Sequence, residues 1–186
     1  DELGKWTDKA ESFFETGVIS SNAWARSEFI TPSKTNDFDT AAFVKKVKNA
    51  KPVKSAWWSV TGLGVFEIYV NGEEVSRKRG FNFEKDYLKP GYTHVLKRRH
   101  SYTYDITHLV NTAAKAENVF GAEVSQGWWR DKIILKRDGR THFRGKESAF
   151  RAVLILRYDD GTVEMIGTDK TWMSSYRGPI LTAAIY

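Results

Sequence analysis

Val60-Thr61-Gly62-Leu63-Gly64-Val65-Phe66-Glu67-Ile68-Tyr69-Val70-Asn71-Gly72-Glu73-Glu74-Val75 alternates apolar and polar side chains, and its period is two. Successive residues of an extended chain point to opposite sides. Phe66, Ile68 and Val70 therefore share one face of a strand, and Glu67 and Tyr69 take the other. Asn71-Gly72 then breaks the run. A type I′ turn needs positive φ at both central residues, which Asn and Gly tolerate, so the stretch predicts a hairpin. Upstream, Ala56, Trp58 and Val60 oppose Trp57, Ser59 and Thr61; downstream, Phe120, Ala122 and Val124 alternate with Gly121, Glu123 and Ser125. Phe150-Arg151-Ala152-Val153-Leu154-Ile155-Leu156 is nearly apolar on both faces, as a central strand is. Asp159-Asp160-Gly161 predicts a second hairpin into Thr162-Val163-Glu164-Met165-Ile166, and Asp138-Gly139 a third turn. Helical signals are short: Thr107 as a cap for one turn at His108–Asn111, and another turn over 112–117. The segment 31–40, with Pro32, reads as an exposed loop. About ten short strands of this kind predict an all-β, two-sheet antiparallel β-sandwich, a jelly roll with one or two short helical turns.

The chain has 186 residues, which suits a single sandwich domain over 1–186 with 1–40 as a peripheral lead-in. A hydrophobic fraction of 41% beside 28% charged residues supports a core and argues against disorder. No apolar run approaches the roughly 18 residues needed to cross a bilayer, so no membrane partner is expected. Asp1-Glu2-Leu3-Gly4-Lys5 has no basic and apolar leader pattern, and no signal peptide is expected within these residues. There is no cysteine, which removes disulfide scaffolds, thiolate metal sites and thiol nucleophiles. Net charge is +6, with lysines at 45, 46, 48, 51 and 54 and a second group at Lys97-Arg98-Arg99. Acids are scattered among these bases (Glu67, Glu73, Glu74, Glu84, Asp86), so the charge reads as a solvated mixed surface, with no nucleic acid expected.

Catalysis of glycoside hydrolysis needs two carboxylates roughly 5–9.5 Å apart in a cleft. Here the carboxylates fall in turns and on outward strand faces. His94, His100, His108 and His142 lack the helical spacing of a zinc hydrolase, and no Gly-x-Ser-x-Gly elbow is present. Gly62-Leu63-Gly64 lacks the third glycine of a phosphate cradle and fits close backbone packing or a bulge. No catalytic residue is assigned. The seven tryptophans carry more information, above all Trp57-Trp58 and Trp128-Trp129. In a strand, one ring of each pair faces the core and its neighbour faces out. An outward indole lies under a loop, lies against a neighbouring domain, or serves as a platform for the C–H face of a sugar. Gly127-Trp128-Trp129-Arg130 follows a predicted strand and so lies at a sheet end, where loops build sites.

In order, these elements resemble a known family. Phe13-Phe14-Glu15-Thr16-Gly17-Val18-Ile19, Trp24, Phe43-Val44-Lys45-Lys46-Val47, the run 60–75 quoted above, Pro90-Gly91-Tyr92-Thr93, Tyr102-Thr103-Tyr104-Asp105-Ile106-Thr107, Glu117-Asn118-Val119, Gly127-Trp128-Trp129, Thr168-Asp169, Trp172 and Gly178-Pro179-Ile180 carry the likeness. It is to the N-terminal domain of bacterial α-L-rhamnosidases, glycoside hydrolase family 78, over almost the whole chain. Ser125-Gln126-Gly127 replaces a commoner Gly-Asp-Gly, and Lys97-Arg98-Arg99-His100 is richer in charge than the family pattern.

The resemblance implies a galactose-binding-like jelly roll ahead of a catalytic (α/α)6 barrel absent from these residues. The chain is then an excised, inactive piece of a longer polysaccharide-degrading enzyme, periplasmic or secreted. Its partners would be the catalytic and neighbouring domains, and rhamnose-containing glycans. Related modules bind rhamnose with calcium; no calcium ligand is mapped here and no other cofactor is expected. The carbohydrate-binding candidates are Trp128 and Trp129 for stacking, Arg130 and Asp131 for hydrogen bonds to hydroxyls, and Asp86, Tyr87 and Tyr104 as secondary contacts. A stand-alone carbohydrate-binding module and a basic structural domain are the competing readings.

Overall fold

A computed structural model describes residues 18, 20, 22–24, 27–32, 40–75, 88–93, 97–130, 145, 147–177 and 180. Among these, the chain runs through β1 (Ala41–Lys48), β2 (Val53–Leu63), β3 (Val65–Val70), β4 (Glu73–Glu74), β5 (Tyr102–Asp105), β6 (Glu117–Ser125), β7 (Ala149–Tyr158), β8 (Val163–Gly167) and β9 (Met173–Ser175). The strands form two antiparallel sheets, of order β4-β3-β6-β1-β9 and β5-β2-β7-β8. This is the expected sandwich. Its core lies where the alternating faces meet: Phe43 and Val47, Phe66, Ile68 and Val70, and Phe120, Ala122 and Val124 from one sheet, against Trp58, Val60, Phe150, Leu154 and Leu156 from the other. Trp58 is 1% exposed and meets Phe120 edge-on at 5.4 Å and Phe150 at 6.3 Å, a geometry aromatic quadrupoles favour.

The turns follow the residue chemistry. Asn71 and Gly72 have φ of 52° and 85°, the double positive φ of the expected type I′ turn. The second hairpin closes with the Tyr158 N–H donating to the Thr162 carbonyl at 2.9 Å. In that turn the Asp160 carboxyl sits well below the usual carboxylate range, held there first by a hydrogen bond from Lys51 and then by Thr162. Asp138-Gly139 lies outside the described residues, as does 33–39 of the expected loop, whose ends Pro32 and Thr40 are buried.

The short helical elements differ from expectation. A 3-10 turn spans Thr107–Leu109, and Thr107 does not cap it. Its hydroxyl instead accepts from the Ala56 N–H of β2 at 2.9 Å, while Asp105 Oδ1 accepts from the Thr107 N–H at 3.0 Å. No helix forms over 112–117. The backbone there is taken up by a buried amide cluster. Asn49 Nδ2 donates to the carbonyls of Asn111 (2.7 Å) and Ala113 (2.9 Å), and Asn118 Nδ2 donates to Asn49 Oδ1 (3.2 Å) and to the Asn111 carbonyl (3.1 Å). Asn118 Oδ1 accepts from the Asn111 N–H and from Asn71 Nδ2, which ties the first hairpin to the same end of the sandwich. Side-chain amides thus outcompete the i→i+4 ladder for these carbonyls.

Candidate functional site

The opposite end of the sandwich carries a cleft. β6 stops at Ser125, and Gly127 (φ +46°) reverses the chain into a single helical turn, Gly127–Arg130. Only glycine fits there, because a Cβ would sit 2.6 Å from Val65 Cγ1. The amides of Trp129 and Arg130 both donate to the Gln126 carbonyl, at 3.2 and 3.3 Å. Trp128 and Trp129 are thus successive residues of a helix, about 100° apart, and not opposed residues of a strand. Both are half-buried, which corrects the expected in-and-out alternation of that pair. The Trp57-Trp58 pair lies within β2 and does alternate, with Trp58 buried and Trp57 half-buried.

The two rings have different surroundings. Trp129 Nε1 donates to the Glu147 carbonyl at 2.6 Å, and Gly145 lies against the indole so closely that a Cβ there would fall 2.1 Å from Cζ2. That ring is held in place. Trp128 meets Tyr92 edge-on, centroids 6.2 Å apart and planes at 69°. The cleft between them is walled by 61–65 at the β2–β3 crossing, by 90–93, by Arg99 and His100, and by the two tryptophans, with about 440 Å³ of space including open solvent. At its floor Gly64 (φ +125°) lets β3 start against the end of β6, where a Cβ would lie 2.1 Å from the Ser125 carbonyl oxygen. The wall is tied together by the Thr61 hydroxyl donating to the His100 carbonyl (2.7 Å), His100 Nδ1 donating to the Pro90 carbonyl (3.1 Å), and the Thr93 hydroxyl donating to the Arg98 carbonyl (2.9 Å). No Asp or Glu stands among its described lining residues.

The expected site residues therefore separate. Trp128 and Trp129 line the cleft. Arg130 is 3% exposed and turns inward, so it is not presented to a ligand as expected. Tyr104 stacks on Tyr102 (6.2 Å, 10°) and packs against the core through β5, away from the cleft, because its register position opposes Trp58. Asp131, Asp86 and Tyr87 lie outside the described residues. Tyr92, Arg99 and His100 also line the cleft, and none of them is among the expected site residues. Their only signals were the Pro90-Gly91 turn and the basic run that follows it.

A second groove lies on the outer face of the five-stranded sheet, beside Glu67 and Glu123, which oppose each other in register. Like charges in that position repel. Lys89, fully buried, pairs with Glu67 at 3.0 Å, and the Tyr69 hydroxyl donates to Glu123 at 3.2 Å. Burial first, then the Glu123 charge, pushes the Tyr69 hydroxyl well above the ordinary tyrosine range. Among the described residues no three His, Asp or Glu side chains converge as metal ligands, so no calcium site is assigned.

Residues 51–186 match the family described as Alpha-L-rhamnosidase N-terminal domain. The chain belongs to this family. An α-L-rhamnosidase of Alteromonas sp. (strain LOR) is 28% identical to this rhamnosidase N-terminal domain over 190 residues, 98% of the chain and 19% of that protein. One of Streptomyces avermitilis is 34% identical over 133 residues, 72% of the chain and 12% of that protein. The crystal structure of the Aspergillus terreus α-L-rhamnosidase superposes with a TM-score of 0.78 at 26% identity, over 92% of this chain and 19% of that one. The Streptomyces avermitilis enzyme complexed with L-rhamnose gives a TM-score of 0.66 at 29% identity, over 79% of this chain and 13% of that one. The rhamnosidase N-terminal domain thus spans about a fifth of the length of the curated relatives it matches.

Proposed function

We propose that this domain is a non-catalytic accessory module of an α-L-rhamnosidase, supporting the catalytic part and binding rhamnose-containing glycans at the cleft around Trp128. The observation that carries the reading is the aromatic pair itself: Trp128 and Tyr92 edge-on in a solvent-open cleft with no carboxylate among its described lining residues. An indole offers a flat apolar surface to the C–H face of a pyranose, and the methyl group of a 6-deoxy sugar such as rhamnose adds to that face. Hydrolysis would need a facing carboxylate pair at the sugar. Glu67 and Glu123 are instead engaged by Lys89 and Tyr69 on the sheet face. The supporting role draws on a different surface. Trp57, Ile155 and Met165 are cross-strand neighbours in β2, β7 and β8, beside Val163, and Met165 and Val163 are exposed. An apolar row of this kind suits packing against another domain of the parent enzyme.

The test is titration of the protein with L-rhamnose and rhamnose-terminated oligosaccharides, with and without calcium, read by calorimetry and tryptophan fluorescence. Saturable binding that Trp128→Ala weakens is the expected result. Absence of heat and of any fluorescence change overturns the binding role. Release of p-nitrophenol from an aryl α-L-rhamnoside by this chain overturns the non-catalytic one.

A further inference from the structure

We infer that Phe29 and Arg151 are positioning residues for the cleft: through them the lead-in holds the wall of Arg99 and His100 in place. The role given to that wall rests on the saccharide reading; its anchoring does not. The row Thr103-Ser59-Val153-Gly167 crosses the four-stranded sheet in register, on the face opposite the inward Trp58, Val60 and Leu154. Outer-face residues ordinarily meet water, yet Ser59 and Val153 are fully buried. The described part of the lead-in, 22–24 and 27–31, is bonded to this side of the sheet. The Glu28 N–H donates to the Thr168 carbonyl at 2.8 Å, and the Thr168 hydroxyl donates to the Glu28 carbonyl at 2.6 Å. Ile30 and Phe150 exchange both backbone hydrogen bonds, at 2.8 and 3.0 Å. Ser27 lies so close to Gly167 that a Cβ on that glycine would fall 2.8 Å from the serine Cβ.

Side chains carry that anchoring to the cleft. Arg151 lies over two rings of the lead-in, Trp24 at 4.9 Å and Phe29 at 5.8 Å, and its Nε donates to Ser27 Oγ at 3.0 Å. The Phe29 ring also receives Arg99, whose Cζ is 5.2 Å from the centroid. Two guanidiniums repel, and burial and then Arg99 lower Arg151 from its ordinary range. The negative face of a shared ring opposes that repulsion and draws both cations toward it. A second route runs through the sheet. Thr61 stands opposite Arg151 in register and donates its hydroxyl to the His100 carbonyl at 2.7 Å. Residues 97–100 belong to no strand or helix and are exposed, so their backbone has no ladder of its own to fix it. Contacts with Thr93 and Pro90 tie this run to the far side of the cleft, and Phe29 and Thr61 tie it to the sandwich. A wall fixed in advance spares a ligand the entropy of ordering it.

The test uses the whole chain and reads the wall with and without sugar. Native protein is digested briefly with trypsin, and cleavage after Lys97, Arg98 and Arg99 is followed by mass spectrometry. Phe29→Leu keeps an apolar side chain and removes the π face; it should speed cleavage at these bonds about threefold to tenfold and leave the urea midpoint unchanged. Phe29→Tyr, which keeps the ring, should cleave at the parent rate. Arg151→Lys keeps the charge but not the planar guanidinium, and should repeat the pattern of Phe29→Leu should that variant fail to fold. Affinity for L-rhamnose should fall with the loosened wall and return in Phe29→Tyr. Parent-like cleavage in both Phe29→Leu and Arg151→Lys overturns the inference, because Arg99 is then held without them. Faster cleavage along the whole chain with a lowered urea midpoint also overturns it, since both residues then serve stability alone. Unchanged L-rhamnose affinity beside a loosened wall overturns the positioning role. Faster cleavage at 97–99 in a protein whose parent form binds no sugar overturns the saccharide reading and leaves the anchoring of the wall standing.

Discussion

Two tryptophans of this chain do opposite work, and substitution separates them. Trp58 fills the centre of the core, edge-on to Phe120 and Phe150. Trp58→Ala should lower unfolding stability by roughly 3–5 kcal/mol, read from a urea midpoint. Trp128 lies in the cleft and is half-buried. Trp128→Ala should leave the unfolding free energy from a urea titration within about 1 kcal/mol of the parent and weaken sugar binding by about 1–3 kcal/mol, by analogy with stacking on bases. Tyr158 supplies a third test at this scale. Burial, then its hydrogen bond to Glu164, pushes its hydroxyl up from 10.0 to about 12. The neutral phenol is the form the fold favours. The stability it contributes is therefore complete below the unfolded value near 10 and is lost as pH rises through about 12. Absorbance at 295 nm should show Tyr158 ionising later than exposed tyrosines, and Tyr158→Phe should flatten the fall of stability over that window.

At the scale of elements, the hairpins were legible and the helical turns were not, for a physical reason. Asn71-Gly72 and Asp159-Asp160-Gly161 announce themselves because the turn conformations demand those residues locally. The turn at Gly127–Arg130 has no such local demand. Gly127 is required by the approach of Val65, a residue 62 positions earlier in sequence, and no pattern within 125–130 records that contact. Gly127→Ala should therefore shift the whole turn, costing about 1–3 kcal/mol and abolishing sugar binding together; circular dichroism melting and titration of one preparation would show both effects. The missing helix over 112–117 has the same origin, since the amide of Asn49 comes from just after β1 and that of Asn118 from β6. Asn118→Leu would leave buried partners without hydrogen bonds at a cost of about 1–3 kcal/mol each, and should loosen the 106–116 end first, as amide exchange would record.

For the whole molecule, the charge separates into two kinds of surface. Lysines of the 45–54 group pair with acids, Lys46 with Glu117 of β6 at 3.2 Å and Lys51 with Asp160 of the second hairpin turn at 2.6 Å. Such exposed pairs contribute little to stability but make that face mixed in sign, as the sequence led us to expect. Of the 97–100 run, Arg99 and His100 stand in the wall of the loop-end cleft. The sandwich also keeps two surfaces apart: the loop end holds the aromatic cleft, and the outer face of the four-stranded sheet holds the apolar row of Trp57, Ile155 and Met165.

The alternation of side chains by itself determined the two-layer architecture, the inward set of Phe66, Ile68, Trp58 and Phe120, and the positions of two hairpins, because a period of two is a local property that burial on one face selects. Only the tertiary structure decided the site. The cleft joins 61–65, 90–93, 99–100 and 128–129. These four stretches become neighbours through strand order and through the close backbone approaches that Gly64 and Gly127 permit. Proximity of that kind depends on how the layers stack, which no single stretch of residues encodes. For the same reason Arg130 could be read as a surface residue and proves buried, whereas Arg99, read as plain solvated charge, stands in the wall of the cleft.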